Sequence, residues 1–139
     1  MVNETANRDR LGDLLRTRAE LAMARGQHEA AREAIDTALS KMSYAPGGDL
    51  SPGASAAFVC ASKIYLQLGD TAKATEFARQ ALILAERVAR DPSSSADIGE
   101  ALLALGNAQQ VTGDATAAVT LTRANETLVK SLGRASRRS

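Results

Sequence analysis

A tight-turn signal recurs along this chain at a nearly constant spacing, and it constrains the fold more than any other feature. The turn glycines are Gly26, Gly69 and Gly113, which are 43 and 44 residues apart. Each glycine lies between two stretches whose apolar residues recur at helical spacing. A period of this size is typical of stacked units that cannot bury their apolar faces alone. The sequence therefore predicts three helical hairpins, one at each glycine.

The three predicted hairpins share a local design around the turn. An alanine follows each glycine by five residues, at Ala31, Ala74 and Ala118, where we expect a close helix crossing that excludes larger side chains. Glycine suits the joint because it adopts a positive φ without steric cost. Asp70 and Asp114 follow two of the glycines and can accept hydrogen bonds from free amides of the next helix. The turns are therefore predicted from local sequence.

The apolar pattern also sets the expected boundaries of a single all-α domain spanning 1–139. No alternation typical of a β-strand occurs in the chain. The last helix is expected to end before Gly133, a residue suited to a left-handed C-terminal stop. A basic tail at 134–139 follows, which we expect to be disordered. The repeats are expected at approximately 5–43, 53–90 and 94–133.

Composition excludes several classes of function. Seventeen Lys and Arg against sixteen Asp and Glu give a formal charge of +1, so no strong field attracts nucleic acid or an anionic membrane. Aromatic residues make up 3% and tryptophan is absent, which removes the stacking platforms of single-strand readers. No stretch approaches the ~18 apolar residues of a membrane helix, and no signal peptide follows Met1. The chain is therefore predicted to be soluble and cytoplasmic.

Residues that carry chemistry are sparse. His28, the single histidine, lies beside the first turn, where capping or exposure explains it. Cys60, the single cysteine, lies on a predicted helix between two apolar residues, where burial explains it. No cluster of Cys and His offers a zinc site. We therefore expect no enzymatic activity, no cofactor and no metal; a small helical enzyme using His28 or Cys60 is the alternative.

The glycines and small residues together resemble the tetratricopeptide repeat. The 43- and 44-residue spacing exceeds the family's common period of about 34 residues, and is similar to the longer-helix variant of kinesin light chains and many bacterial regulators. The resemblance covers 11–133 and implies three antiparallel helix pairs stacked into a right-handed superhelix, about the minimum number for stability. It is carried by Phe58, Tyr65, Gly69, Ala74 and Ala81 in the second copy, and by Leu102, Leu105, Gly106, Gly113 and Ala118 in the third.

The first and third copies depart from the family pattern at particular positions. In the first copy, Arg18 occupies a normally apolar position and Ala22 replaces the usual aromatic residue. In the third copy, Asn125 stands where the first two have Ala38 and Ala81. The second copy therefore matches the family best.

The resemblance also implies where a partner binds, because first helices of the pairs line the concave face in this family. The full set of implied contact positions also includes Asp13, Ala24, Ala56, Glu100 and Val111. Such a mixed groove suits an extended or helical protein segment with an apolar stripe; ordinary solvated helix faces are the alternative. The predicted protein-binding residues are Arg16, Glu20, Met23, Val59, Lys63, Leu66, Gln67, Leu103, Asn107 and Gln110.

The last helix offers a second candidate surface. Val119, Leu121, Leu128 and Leu132 exceed what one neighbouring helix is expected to cover, which favours a homodimer through this helix. A solvated outer face is the alternative. The sequence thus predicts a noncatalytic protein-interaction module or adaptor that binds a protein segment. The alternative is a regulatory or scaffolding segment of a larger signalling protein or enzyme.

Overall fold

The computed structural model describes residues 4–42 and 54–138 of the chain. These ranges contain six α-helices, one 3-10 turn at Pro92–Ser94 and no β-strand. The prediction of an all-α chain is therefore confirmed for the described residues. The helices are α1 (Glu4–Ala24), α2 (His28–Met42), α3 (Ala54–Gln67), α4 (Thr71–Val88), α5 (Ala96–Thr112) and α6 (Ala117–Arg138).

Consecutive helices pack in three pairs, α1 with α2, α3 with α4, and α5 with α6. The helices of the second pair are antiparallel, because Ser55 near the start of α3 bonds the carbonyl of Ala81, whereas Ser62 further along bonds that of Ala74. Neighbouring pairs meet through α2 with α3 and through α4 with α5. Helix α3 also contacts both α1 and α5. The first helices of the three pairs therefore lie side by side.

All three predicted turn glycines adopt the left-handed backbone that favours glycine. Their φ angles are +74° at Gly26, +88° at Gly69 and +76° at Gly113. Asp70 caps α4 as predicted, since its Oδ1 accepts the amide of Lys73 at 3.1 Å. Asp114 instead accepts the amide of Thr116, which precedes α6, so its carboxylate closes the turn.

Two buried alanines in each second helix recur with a period of 43 residues. The predicted crossing residue Ala118 is exposed and its neighbour Ala117 is buried, so that prediction is wrong by one residue. The first buried alanine follows Gly113 by four residues, whereas it follows Gly26 and Gly69 by five, so the buried alanines of α6 lie one residue earlier relative to the turn. Ala124, next to the divergent Asn125, is therefore fully buried. The resulting columns are Ala31, Ala74 and Ala117, and Ala38, Ala81 and Ala124.

Helix α6 is longer than the sequence predicts. It continues through Gly133 to Arg138, and Gly133 does not have a positive φ. The expected stop before Gly133 is therefore wrong, and the backbone of 134–138 is helical rather than disordered. Glycine permits a left-handed stop without requiring one, and no proline follows it to prevent the helix from continuing.

Small residues in α3 and α5 bring the paired helices close together, but the two pairs use them differently. The hydroxyl of Ser62 donates to the backbone carbonyl of Ala74 at 2.7 Å. Its counterpart in α5 is Gly106, where an added Cβ would lie 2.6 Å from Cδ2 of Leu121. The helices of the second pair are thus joined by hydrogen bonds from buried hydroxyls. Those of the third pair are joined by leucines of α6 that pack against glycines of α5. The arrangement repeats one heptad earlier, with Ser55 on Ala81 and Gly99 against Leu128.

A buried tyrosine links the first two hairpins. The hydroxyl of Tyr65 in α3 donates to Asp36 in α2, 2.9 Å from its Oδ1. Burial, together with this carboxylate, raises the pKa of Tyr65. Gln109 occupies the same place relative to its turn in α5, and its buried Oε1 has no hydrogen-bond partner. The polar link therefore belongs to the first joint between hairpins and is not repeated at the second.

Candidate functional site

Helices α1, α3 and α5 line one cleft with a volume of about 240 Å³. The cleft forms because α3 lies between the other two first helices and contacts both. It lies on the face made by the first helices, where the sequence resemblance implies a partner site. Its lining residues are Arg16 and Glu20 from α1, Ser55, Ala56, Val59, Cys60 and Lys63 from α3, and Asp97 and Glu100 from α5.

Four of the ten predicted groove residues line this cleft, namely Arg16, Glu20, Val59 and Lys63. The structure thus brings together predicted residues of the first and second copies, along with Ala56 and Glu100 from the full set of implied positions. Asp13, Ala24 and Val111 of that set do not line the cleft. Val59 is itself buried and also packs into the core between α3, α4 and α5.

The other six predicted groove residues do not line the cleft. Leu66 is half-buried and packs against Tyr65 and Ala108, and Leu103 packs beside the core residues at the start of α5. Met23 packs against the core of the first hairpin. The apolar members of this group therefore stabilise the fold. The polar members are Gln67 and Gln110, which are exposed, and Asn107, which is half-buried.

Three residues of the cleft escape the sequence prediction. Ser55 and Cys60 are small residues of α3 and lie in the middle of an apolar run that predicts only core. Asp97 lies in the first turn of α5, after the capping residue Ser95, whose hydroxyl accepts the amide of Ile98. An acidic residue just after a cap is usually explained by its favourable interaction with the helix dipole. The sequence therefore gives no separate reason to expect Asp97 in a cleft.

The charged side chains of the cleft fall into one engaged pair and three unpaired groups. Arg16 Nη1 donates to Glu20 Oε1 at 2.9 Å, so the charges on the α1 wall largely neutralise each other. Lys63, Asp97 and Glu100 are exposed, and none of them forms an ion pair within 4–42 and 54–138. The cleft therefore presents a free ammonium from α3 and two free carboxylates from α5.

Cys60 lies in this cleft with its thiol largely shielded from solvent. The residue is 6% exposed and is a free cysteine. Burial, reinforced by the negative charge of Glu20, raises the pKa of the Cys60 thiol to about 11, although Arg16 and Lys63 oppose the shift. Because the thiolate is the reactive form of cysteine, the structure gives Cys60 low reactivity.

Alkylation of Cys60 is expected to be slow in the folded protein. At pH 8 its thiolate fraction is about 100-fold below that of a thiol with a pKa of 9, since each pKa unit is a factor of ten. Iodoacetamide labelling followed by mass spectrometry, with and without urea, measures this difference. Equal labelling rates in the two conditions would contradict the assigned environment.

The same pKa shift makes stability fall at high pH. Between about pH 9 and about pH 11 the unfolded chain loses the thiol proton while the folded chain keeps it. The folded state then binds more protons, so the free energy of unfolding decreases as pH rises through this window. Below pH 9 the thiol is protonated in both states, and it contributes no pH dependence.

The four residues of the predicted dimer face do not share one exposed surface. Leu121 and Leu128 are half-buried, since they lie against the backbone of Gly106 and Gly99 in α5. The outward-facing members are Val119 and Leu132, each 71% exposed. The apolar strip that suggested a second chain is therefore divided between the internal contact with α5 and solvent.

Asn125 gives α6 a different outer face from α2 and α4. With the constant 43-residue period, Asn125 corresponds to Leu39 and Leu82, which pack against the cores at their joints with the next hairpin. In α6 this position is exposed. Helix α6 therefore has an amide at the position where α2 and α4 each have a leucine that packs against the next hairpin.

The described part of the chain lacks the features of two other kinds of site. Within it, no group of three or more His, Cys, Asp or Glu residues has an arrangement that could hold a metal ion. None of its helices combines the length and apolar character needed to cross a membrane.

No protein-family model matches the chain, and no curated protein matches it either. The function is therefore inferred from the cleft itself.

Proposed function

We propose that this chain is a noncatalytic protein-interaction module that binds a protein segment in the cleft between α1, α3 and α5. The observation that carries the proposal is that one helix from each hairpin contributes to a single open cleft of mixed charge. A surface assembled from separate repeats lets a binding site extend along the stack. The chain then acts as an adaptor whose contacts, rather than any reaction, supply its function.

We also propose that the three hairpins form a right-handed superhelix of the tetratricopeptide kind. The constant 43-residue period of the buried alanines supports this arrangement, as does the row formed by α1, α3 and α5. In such a superhelix the first helices line the concave face. The cleft would then be part of a longer groove.

The size of the cleft favours a protein segment over a compact small molecule. Its volume of about 240 Å³ lies below the roughly 300–1,000 Å³ of pockets that enclose drug-sized ligands. A segment of protein needs only to place a few side chains in the cleft while its backbone runs along the helices. Exposed charged residues on all three helices, Glu20 on α1, Lys63 on α3, and Asp97 and Glu100 on α5, suit the polar rim of such an interface.

A peptide-display selection on the immobilised chain tests the proposal. We expect short peptides that place side chains in the cleft to be enriched. Ala56→Arg is expected to reduce their affinity at least about tenfold, because Ala56 is half-buried in the cleft and an arginine would fill it. Ala72→Arg, at an exposed site on α4 outside the cleft, is the matched control.

Two results would contradict the proposed function. One is a selection that enriches no peptide on the folded chain. The other is a set of enriched peptides that bind the Ala56→Arg and Ala72→Arg variants equally well. Circular dichroism of both variants shows whether they remain folded, so that loss of binding can be assigned to the cleft.

A further inference from the structure

The unpaired charges of the cleft are divided by sign between two neighbouring helices. Lys63 projects from α3, whereas Asp97 and Glu100 are one helical turn apart on α5. All three are exposed, and none forms an ion pair among the described residues. Arg16 and Glu20 form an ion pair with each other, so Lys63, Asp97 and Glu100 are the charged residues of the cleft that have no ion-pair partner among the described residues.

This division of charge penalises a ligand of a single sign. An acidic segment would be attracted to Lys63 and repelled by the two carboxylates of α5, and a purely basic segment would meet the reverse. Like charges brought together at an interface oppose binding and exclude wrong partners. A ligand avoids both penalties if it carries a negative charge near α3 and a positive charge near α5.

Helix α3 also contributes small apolar side chains to the cleft. Ala56 and Val59 line it, and neither offers a side-chain hydrogen-bond donor or acceptor. A ligand side chain in contact with them is therefore expected to be uncharged. The cleft thus combines one positive charge, two negative charges and an apolar patch.

Resting on the proposed function, we infer that the bound segment is bipolar. It places an acidic side chain at Lys63 and a lysine or arginine at Asp97 and Glu100, with an uncharged residue over Ala56 and Val59. The class of partner is therefore a protein segment that carries opposite charges and an uncharged residue.

Charge-reversal variants tested on peptides selected against the unmodified chain examine this inference. Lys63→Glu is expected to weaken binding at least about fivefold, and Asp97→Lys combined with Glu100→Lys about tenfold, since attraction becomes repulsion. Exchanging the matching peptide charge, acidic to lysine or lysine to glutamate, is expected to restore binding to the corresponding variant. Lys130→Glu and Glu86→Lys, at exposed positions on α6 and α4, are the matched controls.

The outcomes separate this inference from the proposed function. Peptides that lose affinity with Ala56→Arg but respond to no charge reversal would keep the proposed function and overturn the bipolar segment. Weakening by reversal without rescue by the exchanged peptide would also overturn it, because the charges would then act other than by direct pairing. Failure to obtain any peptide that binds the cleft would overturn both. Weakening together with rescue would establish the inference.

Discussion

Replacing Ala74 by arginine is expected to lower the free energy of unfolding by about 3–5 kcal/mol, the range for an uncompensated buried charge. Ala74 is fully buried between α3 and α4, in a cluster with Tyr65 and Ala108. Its carbonyl also accepts the hydroxyl of Ser62 at 2.7 Å, which fixes how closely the two helices approach. A guanidinium there would be desolvated and would force the helices apart.

Urea denaturation followed by circular dichroism measures this effect, with Ala72→Arg as the control. Ala72 lies two residues earlier on the same helix and is exposed, so the identical chemical change is expected to alter stability by no more than about 0.5 kcal/mol. A complete loss of the cooperative transition in the Ala74 variant would be the same result in a stronger form. Coincident unfolding curves for the two variants would remove Ala74 from the interface between α3 and α4.

Replacing Gly106 by valine is expected to destabilise the chain by about 2–3 kcal/mol through overpacking. A Cβ at this position would lie 2.6 Å from Cδ2 and 2.7 Å from Cγ of Leu121, and 3.4 Å from its backbone nitrogen. Rotation of the leucine can relieve the first contact, but the branch point and backbone cannot move without separating α5 from α6. The loss exceeds the few tenths of a kcal/mol by which valine is the better helix former.

Gly133→Val provides the matched control, because an added Cβ at Gly133 meets no atom within 4 Å. The same substitution there is expected to be neutral or slightly stabilising. A double-mutant cycle with Leu121→Ala then isolates the contact. We expect a favourable coupling of about 1–2 kcal/mol, since the smaller side chain makes room for the valine. If the changes in the free energy of unfolding of the two single variants simply add in the double variant, Leu121 does not pack against Gly106.

The sequence predicts the three turns and the all-α class because their causes are local. Glycine is the residue that accepts φ near +75° to +90° without strain, so Gly26, Gly69 and Gly113 mark the reversals directly. Asp70 caps the helix that follows its glycine for the same local reason. These features require no knowledge of what each helix packs against.

Register and helix rotation were not predictable in the same way, because they are decided by packing. Burial falls on Ala117, four residues after Gly113, instead of on Ala118, five residues after it, and either alanine fits a helical pattern equally well. Gly133 carries a stop signal that the backbone of α6 does not use. Leu66 and Leu103 fall on the predicted groove side of their helices, yet both turn far enough inward to join core clusters.

Only part of the candidate cleft could be predicted from sequence, because contacts between separate helices decide the rest. Arg16, Glu20, Val59 and Lys63 are positions that the resemblance to the tetratricopeptide repeat implies, and the structure brings them together. Asp97 lies at the start of a helix, where the helix dipole already explains its charge. The sequence therefore does not indicate that it lines a cleft. Only the contacts of α3 with α1 and with α5 bring it to the same cleft as Arg16.

The amide of Asn125 has a consequence for solubility at high concentration. Repeats that stack side by side expose an end onto which another molecule can add, and open head-to-tail addition of this kind produces filaments rather than closed oligomers. A molecule adding to the outer face of α6 in the pattern of Leu39 and Leu82 would have to desolvate an amide, at about 1–3 kcal/mol if it remained unpaired. One polar side chain thus opposes the addition of another molecule to the outer face of α6.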